Sequence, residues 1–345
     1  MDGRVTTGLL SVLLAVACRA GSIESGSCPS AQIGRAVPYT VFLPADFPAK
    51  RSQGVRFPVV YLLHCAGCDD ARWGSESYGD VDAGIDGLEV IAVAPYDGSG
   101  GSGSYGWWLD SPLLASSQWA AFVVRELKPR IDSLYPTYRD RLNTGLSGHS
   151  MGGFGSFHLL IDFDSVFAVA VPVKAAVDLR YPARATWPGV FGLDAALGTE
   201  AAHQANWLAV NVLANAHRLQ GRAIHLRFYA GTQDYWFYQE NVELHNLLDS
   251  LGVAHQYREL AEDHFPVTPS LMREILVYCD SVFAHGGAGV RRHAPPKTRK
   301  PASSPGRSPP QLRRFDLRGQ SRGGAVLLQA GISVVVPTRL LEVVW

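Results

Sequence analysis

The chain has 345 residues, of which 47% are hydrophobic and 18% charged, with 35 glycines and 21 prolines. This composition excludes collagen, coiled coils and wholesale disorder, and it indicates a globular protein rich in turns. The formal net charge is zero, but residues 286–345 hold 11 Lys and Arg against 2 Asp and Glu, or +9, which leaves −9 on the remaining 285 residues. An acidic body argues against nucleic acid as a partner.

The first 20 residues have the features of a secretory signal peptide. Arg4 precedes an apolar run over residues 8–17, and small residues follow up to position 20. Ten apolar residues are too few for a transmembrane helix, which needs about 20, but they suit an export signal. Cleavage after Ala17 would leave Cys18 first, as in a bacterial lipoprotein. We therefore predict an exported protein, either secreted, periplasmic or anchored by a lipid on Cys18; an uncleaved apolar N-terminus is the alternative.

The composition changes again near the other end of the chain. Pro, Arg, Ser and Gly dominate residues 288–322, and such a segment buries too little apolar surface to offset its ordering entropy. We predict that residues 286–345 form a disordered basic tail, either solvated or in contact with an anionic surface. One folded domain is then predicted over residues 30–285.

Strands and helices alternate along this domain. Short β-rich runs, most of them continuously apolar, occur at residues 59–63, 90–94, 167–171 and 224–229. Runs with apolar residues three and four positions apart occur at residues 119–134, 150–161, 239–251 and 270–283. Continuously apolar strands are covered on both faces, so the alternation predicts a mostly parallel sheet between two layers of helices. The chemistry of such a sheet lies at the carboxyl ends of its strands.

One motif predicts a catalytic site. Residues 148–152 read Gly-His-Ser-Met-Gly between a predicted strand and a predicted helix, which is the nucleophile-elbow pattern Gly-x-Ser-x-Gly. The turn holds the Ser150 hydroxyl outward, and side chains two positions before or after it would collide with neighbouring backbone. It also places the backbone N–H of Met151 beside developing negative charge. An idle serine in a glycine-rich turn is the alternative.

A serine nucleophile needs a base, and the base needs an acid that orients it. In parallel-sheet enzymes with this nucleophile elbow, the acid and then the histidine follow the serine along the chain. Asp234 lies just past the strand at 224–229, and His264 lies in a later loop before the last helix. We predict Asp234 as the acid and His264 as the base. Asp263 is the alternative acid, and His64, which ends the first core strand and is expected to line the pocket, is the alternative base.

Several motifs resemble those of the esterase D family of α/β-hydrolases, over about residues 35–285. They are Tyr61-Leu62-Leu63-His64 with Gly67 and Trp73, Trp107-Trp108-Leu109-Asp110-Ser111-Pro112, Glu126-Leu127 to Ile131-Asp132, Tyr135-Pro136, and Ser147-Gly148-His149-Ser150-Met151-Gly152-Gly153-Phe154-Gly155. The resemblance implies an α/β-hydrolase fold with Ser150, Asp234 and His264 as a catalytic triad. It also implies an oxyanion hole made by the backbone N–H groups of Met151 and Ala66.

The four cysteines after the N-terminal segment are Cys28, Cys65, Cys68 and Cys279. In an exported protein they are predicted to be disulfides or inert thiols, with the pairing left open. Cys65 also departs from the resemblance, since many family members have glycine there. If that position has a positive φ, a side chain costs about 1–2 kcal/mol, which would reshape the loop that carries the second oxyanion donor.

Together these features predict an exported serine carboxylesterase that hydrolyses short-chain acyl or carbohydrate-linked esters through an acyl-enzyme, with no metal or organic cofactor. His64, Trp108 and Trp236 are predicted to line the substrate site, where aromatic rings stack on an aryl or sugar ester; packing in the core is the alternative for these rings. Other functions fit the same motifs: an acyltransferase of the mycolyltransferase type, an S-formylglutathione hydrolase, or an inactive hydrolase fold that binds glycans. The oligomeric state is not predicted.

Overall fold

The computed structural model describes residues 21–98, 106–180 and 191–285. The predicted signal segment with Cys18 and the predicted basic tail lie outside these residues. The described part contains one eight-stranded sheet, in which the strands lie in the order β1-β2-β4-β3-β5-β6-β7-β8. The strands are β1 (Ser22–Ser30), β2 (Arg35–Leu43), β3 (Val59–Leu63), β4 (Ile91–Pro95), β5 (Thr144–His149), β6 (Val169–Val173), β7 (His225–Gly231) and β8 (Gln256–Leu260).

The sheet is mostly parallel, as the sequence predicts. β1 pairs with β2 and β2 with β4 in antiparallel fashion, whereas the pairs from β4 through β3, β5, β6 and β7 to β8 are all parallel. The four predicted apolar runs become β3, β4, β6 and β7, with bounds within two residues of those expected. The antiparallel pair β1 and β2 was not predicted, because β1 is a largely exposed edge strand rich in serine.

Helices cover both faces of this sheet. In the described residues they are α1 (Phe47–Ser52), α2 (Val81–Gly84), α3 (Trp119–Phe122), α4 (Lys128–Leu134), α5 (Met151–Asp162), α6 (Leu193–Leu197), α7 (Glu200–Val210), α8 (Val212–Asn215), α9 (Tyr238–Ser250) and α10 (Pro269–Ala284), and a π-helical turn (Val123–Leu127) joins α3 to α4. None of these described helices has the length and apolar character needed to cross a lipid bilayer.

Two hydrophobic clusters, one on each face of the sheet, make up the core. Val59, Tyr61 and Leu63 of β3 belong to the first cluster, together with residues of α5 and α9. Val60 and Leu62 belong to the second, together with residues of α2 and α10. Successive residues of a strand point to opposite faces, so β3 is buried on both sides, which explains why its sequence is apolar without alternation.

Candidate active site

Ser150 occupies a strained turn at the carboxyl end of β5. Its φ is +59° and its ψ −114°, between the last residue of β5 and the first of α5. A side chain at Gly148 would place its Cβ 2.4 Å from the carbonyl oxygen of Gly152, and one at Gly152 would place its Cβ 1.8 Å from that of Leu63. The predicted need for small residues on either side of the serine is therefore confirmed.

This close approach predicts the cost of a methyl group in the elbow. Gly152→Ala would force β3 and α5 apart, and we expect it to lower the free energy of unfolding by about 3 kcal/mol or more. The matched control is Gly84→Ala in α2, where the nearest atom would be 3.5 Å from the new Cβ and the change is expected to stay within about 1 kcal/mol. Denaturant unfolding of both variants checks this, and equal unfolding midpoints would contradict the steric argument.

Asp234 and His264 meet above the carboxyl ends of β7 and β8. Oδ2 of Asp234 lies 2.9 Å from Nδ1 of His264, and both residues are almost fully buried. The other carboxylate oxygen accepts hydrogen bonds from the backbone N–H groups of Trp236 (2.9 Å) and Phe237 (3.2 Å). Because an ionised carboxylate only accepts, Nδ1 carries the hydrogen and Nε2 of the neutral ring holds a lone pair.

The alternative acid and the alternative base have other partners. A side-chain oxygen of Asp263 accepts a hydrogen bond from the backbone N–H of His264 at 2.6 Å, whereas Nδ1 of the imidazole bonds to Asp234. His64 is fully buried, with Nδ1 2.8 Å from the carbonyl oxygen of Cys65 and Nε2 3.1 Å from the backbone nitrogen of Asp97. Both ring nitrogens of His64 are therefore engaged.

His149, the neighbour of Ser150 in sequence, contacts His264. The ring of His149 packs against that of His264, with centroids 4.6 Å apart. Neither Oγ of Ser150 nor Nε2 of His264 has a hydrogen-bond partner among the described residues. The hydroxyl of Ser150 and the Nε2 lone pair of His264 are thus both free of hydrogen bonds to described residues, and both residues follow strands at the carboxyl edge of the sheet.

The two backbone groups expected to form an oxyanion hole are also unpaired within the described part of the chain. Neither the N–H of Met151, in the first turn of α5, nor that of Ala66 donates to another described residue. A disulfide joins Cys65 to Cys68 across the loop that contains Ala66. The left-handed residue of this loop is Gly67, with φ +75°, and Cys65 is not among the residues with positive φ. The cysteine therefore imposes no backbone strain of the kind considered from the sequence.

The predicted substrate-lining residues separate into two groups. Trp108 and His64 have no exposed surface, and the indole N–H of Trp108 donates to the carbonyl of His64 at 3.4 Å, next to the loop that contains Ala66. Trp236 is only partly buried, and its ring centroid lies 5.0 Å from that of His264. Phe265 and Tyr235, beside these residues in sequence, are 45% and 91% exposed. Substrate contact by Trp108 and His64 stays a prediction. The exposed aromatic surface near His264 belongs to Trp236, Phe265 and Tyr235.

Two buried side chains that the sequence analysis did not assign hold His264 in place. Nε2 of His149 lies 2.9 Å from the carbonyl oxygen of His264, and its Nδ1 lies 2.6 Å from the hydroxyl of Tyr78. Since the carbonyl only accepts, Nε2 of His149 carries the hydrogen and Nδ1 accepts the Tyr78 proton. The two bonds define one neutral tautomer and attach the backbone of His264 to the elbow.

Removing the Tyr78 hydroxyl tests this chain of hydrogen bonds. Tyr78→Phe would leave Nδ1 of His149 buried without a donor, which we expect to lower the free energy of unfolding by about 1–3 kcal/mol. Tyr138→Phe is the control, because Tyr138 is 40% exposed and surface changes of this kind stay within about 0.5 kcal/mol. Denaturant unfolding measures both, and an unaltered stability of the Tyr78 variant would contradict the assigned tautomer.

A buried lysine fixes the loop of His264 from another direction. Lys174 follows β6, its side chain is fully buried, and Nζ lies 2.9 Å from a carboxylate oxygen of Glu262. The same ammonium group donates to the carbonyl of Pro266 at 3.2 Å. These two contacts lie two residues before and two residues after His264, so the loop is held on both sides of the imidazole.

Burial and charge keep both active-site imidazoles neutral. Burial lowers the pKa of His264 below its ordinary value; the hydrogen bond and charge of Asp234 act in the opposite direction, and the charge of Lys174 lowers the pKa further. Burial also lowers the pKa of His149 well below its usual range. A neutral His264 has the lone pair that a general base requires.

The eight-stranded, mostly parallel sheet and the elbow at its carboxyl edge are those of the α/β-hydrolase fold. The family model described as "Putative esterase" matches residues 30–264. The chain belongs to that family, so the resemblance found in the sequence is confirmed.

Individual relatives agree with this assignment. The chain is 31% identical to "Esterase Rv1288" of Mycobacterium tuberculosis (strain ATCC 25618 / H37Rv) over 144 residues, which are 41% of this chain and 29% of that protein. It thus spans less than a third of the curated relative's length. A solved ferulic acid esterase has a TM-score of 0.61 and 21% identity, over 76% of this chain and 99% of its own. An S-formylglutathione hydrolase from Agrobacterium tumefaciens has a TM-score of 0.63 and 18% identity, over 76% and 96%. At these identities the two structures show a shared fold.

Proposed function

We propose that this esterase hydrolyses short-chain acyl or carbohydrate-linked esters with Ser150 as nucleophile, His264 as general base and Asp234 as the orienting acid. The observation that carries the proposal is the 2.9 Å hydrogen bond between Asp234 and His264. It fixes the imidazole with its lone pair on Nε2, and the strained turn of Ser150 at the carboxyl end of the sheet also supports the proposal. The joint need for a nucleophile, a base and an acid is met by these three side chains.

The first half of the reaction forms an acyl-enzyme. Oγ of Ser150 attacks the ester carbonyl carbon while Nε2 of His264 takes the hydroxyl proton, and the carbonyl electron pair moves onto oxygen. The N–H groups of Met151 and Ala66 donate to that oxyanion, and each such donor is worth about a hundredfold or more in rate. The tetrahedral intermediate then breaks its bond to the alcohol oxygen, which receives the proton from His264.

Water completes the cycle by the same route. It loses a proton to Nε2 of His264 as its oxygen attacks the acyl carbon, and the second tetrahedral intermediate expels Oγ of Ser150. The proton returns to Ser150, the carboxylic acid leaves, and Asp234 stays ionised throughout while it stabilises each imidazolium. A sugar hydroxyl in place of water would give acyl transfer, so the acceptor decides between hydrolase and transferase.

Covalent labelling tests the proposed nucleophile directly. A fluorophosphonate reacts with an activated serine hydroxyl, and we expect peptide mass spectrometry to locate a single adduct on Ser150. The His264→Gln variant is expected to lose labelling because the hydroxyl then has no base. A folded protein that stays unlabelled would instead support a glycan-binding protein without hydrolase activity.

The lowered pKa of His264 predicts the acid limb of the pH profile. Only the neutral imidazole accepts a proton, so kcat/KM falls as the pH drops through the pKa of His264 in the free enzyme. Because burial lowers this pKa, we expect the midpoint of the limb to lie below about 6.5, the ordinary value for histidine. Initial rates with p-nitrophenyl acetate between pH 4.5 and 9 measure it. A midpoint above 7 would show that another group controls the limb.

The partly exposed aromatic rings beside His264 support the proposed class of substrate. Trp236 and Phe265 offer partly exposed rings next to His264, and such rings stack on aryl or sugar groups. Turnover of p-nitrophenyl esters of graded length, feruloyl esters, acetylated sugars and S-formylglutathione is expected to favour short acyl groups on aryl or sugar alcohols. A preference for S-formylglutathione would reassign the substrate.

We also propose that the protein is exported. The apolar run at residues 8–17 and the disulfide between Cys65 and Cys68 support this, because disulfides persist in oxidising compartments. Mass spectrometry of the protein purified from its native cells is expected to show cleavage near Ala17 or Ala20, with or without a lipid on Cys18. An intact N-terminus in the cytoplasmic fraction would contradict export.

A further inference from the structure

Three metal-ligating side chains meet at the end of the sheet opposite the active site. His245 and Asp249 lie one turn apart on α9, and His255 lies between α9 and β8. One ligand atom from each lies within 4.8 Å of those from the other two. Since α9 connects two parallel strands, it runs from the carboxyl edge back to the amino edge, a rise of about 20 Å for a helix of this length. The cluster is therefore separate from Ser150 and its partners.

Packing fixes both imidazoles of this cluster. The side chain of His255 is 2% exposed and stacks on Phe228, while that of His245 is 30% exposed and stacks on Tyr257 at a centroid distance of 4.4 Å. Asp249 is 65% exposed, so its carboxylate is free to rotate toward the rings. Two rigid ligands and one adjustable ligand need little rearrangement to close around an ion.

Hydrogen bonding directs lone pairs into the cluster. Nδ1 of His255 lies 2.8 Å from the carbonyl oxygen of Val253, so it carries the hydrogen and Nε2 holds the lone pair. This backbone bond is the outer contact that orients metal-ligating histidines in proteins. Nε2 of His255 is in turn 2.8 Å from Nδ1 of His245, a contact that requires one proton between two nitrogen lone pairs, with the carboxylate of Asp249 within 4 Å of both rings. In the neutral pair Nδ1–H of His245 donates to Nε2 of His255, so one nitrogen of each ring already faces the same point beside the Asp249 carboxylate.

We propose that His245, Asp249 and His255 form a binding site for a transition-metal dication, with Zn²⁺ as the representative ion and water completing the coordination. Two nitrogens and one carboxylate oxygen suit Zn²⁺ and its neighbours in the first transition row, and they disfavour Ca²⁺ and Mg²⁺. With Zn–N bonds of about 2.0–2.1 Å in a tetrahedron, the two nitrogens stand about 3.3 Å apart. The His245–His255 contact of 2.8 Å therefore opens by about half an ångström as the ion takes the place of the Nδ1 hydrogen, and the neutral ring of His245 then carries its hydrogen on Nε2. The bound ion would link the end of α9 to the start of β8.

Zinc binding by the full chain tests the site. After treatment with a chelator, equilibrium dialysis against Zn²⁺ followed by metal analysis is expected to find one more equivalent in the wild type than in His245→Ala. Asp249→Asn is expected to bind this equivalent at least about tenfold more weakly. His217→Ala removes an exposed histidine elsewhere and is expected to bind like the wild type. His245 and Asp249 are partly exposed, so both variants are expected to fold, and thermal unfolding without metal verifies this.

A second readout separates a defined site from loose surface binding. Co²⁺ at a site with two imidazoles and one carboxylate is expected to give visible d–d absorption that His245→Ala abolishes and His217→Ala retains. Zn²⁺ is expected to raise the unfolding temperature of the wild type and not that of His245→Ala, by mass action on the folded state. Equal zinc content, or equal thermal shifts, in the wild type and His245→Ala would overturn the proposal.

Discussion

Replacing Ser150 by alanine is expected to lower kcat for ester hydrolysis by about 10⁶, the effect found when a triad serine is removed from another serine hydrolase. The hydroxyl oxygen is the atom that forms the acyl bond in the proposed mechanism, and no other side chain takes over that step. Initial rates with p-nitrophenyl acetate measure the loss. The residual rate comes from the oxyanion hole and substrate binding alone.

The matched control for this variant is Ser156, six residues further along the chain in α5. Ser156 is fully buried in α5, and its hydroxyl donates to the carbonyl of Gly152 at 2.8 Å. Ser156→Ala removes a serine hydroxyl from α5 and leaves the proposed nucleophile, base and acid in place. We expect its kcat to stay within tenfold of the wild type. If both variants lose activity equally, the effect belongs to the helix and not to the nucleophile.

Changing Asp234 to asparagine is expected to lower kcat by about 10⁴. Oδ1 of the amide still accepts from the backbone N–H groups of Trp236 and Phe237, so the loop is retained. The amide NH₂ then faces Nδ1 of His264, which favours the tautomer with the hydrogen on Nε2, and that tautomer cannot take the proton of Ser150. The pH profile and kcat of the variant, measured with the same ester, report this change.

Asp263→Asn distinguishes the two acids next to the histidine. Asp263 contacts the backbone N–H of His264 and not its ring, and an asparagine oxygen accepts that bond equally well. We therefore expect this variant to lose less than tenfold in kcat. If the Asp263 variant were the inactive one, the roles of the two carboxylates would be exchanged.

The elbow and the fold could be predicted from the sequence because their signals are local. The glycines at 148 and 152 surround Ser150 in a fixed spacing, and the structure explains them by two backbone collisions. Continuous apolar runs likewise predicted the buried parallel strands to within two residues. A turn or a strand buried on both faces is determined by residues that are close in the chain, so the sequence alone is enough to predict it.

Contacts between distant residues were not accessible in this way. Tyr78 and His149 are 71 positions apart, and neither side chain belongs to a motif that names the other. The hydrogen bond from the indole of Trp108 to the carbonyl of His64, 44 positions away, was likewise not predicted. The cluster of His245, Asp249 and His255 also depends on how α9 meets β8, because single histidines in a sequence are common and carry no such signal.

The hydrogen bond from His149 to the carbonyl of His264 has a consequence for protein engineering. It joins the residue adjacent to Ser150 to the backbone of His264, so it couples the elbow to the loop of the proposed base. Trp236 and most of the disulfide-closed loop at 65–68 are partly exposed and take no part in this hydrogen bond, so they are the positions to change for bulkier substrates. Libraries aimed at new selectivity should diversify these positions and leave the hydrogen bond between His149 and His264 unchanged.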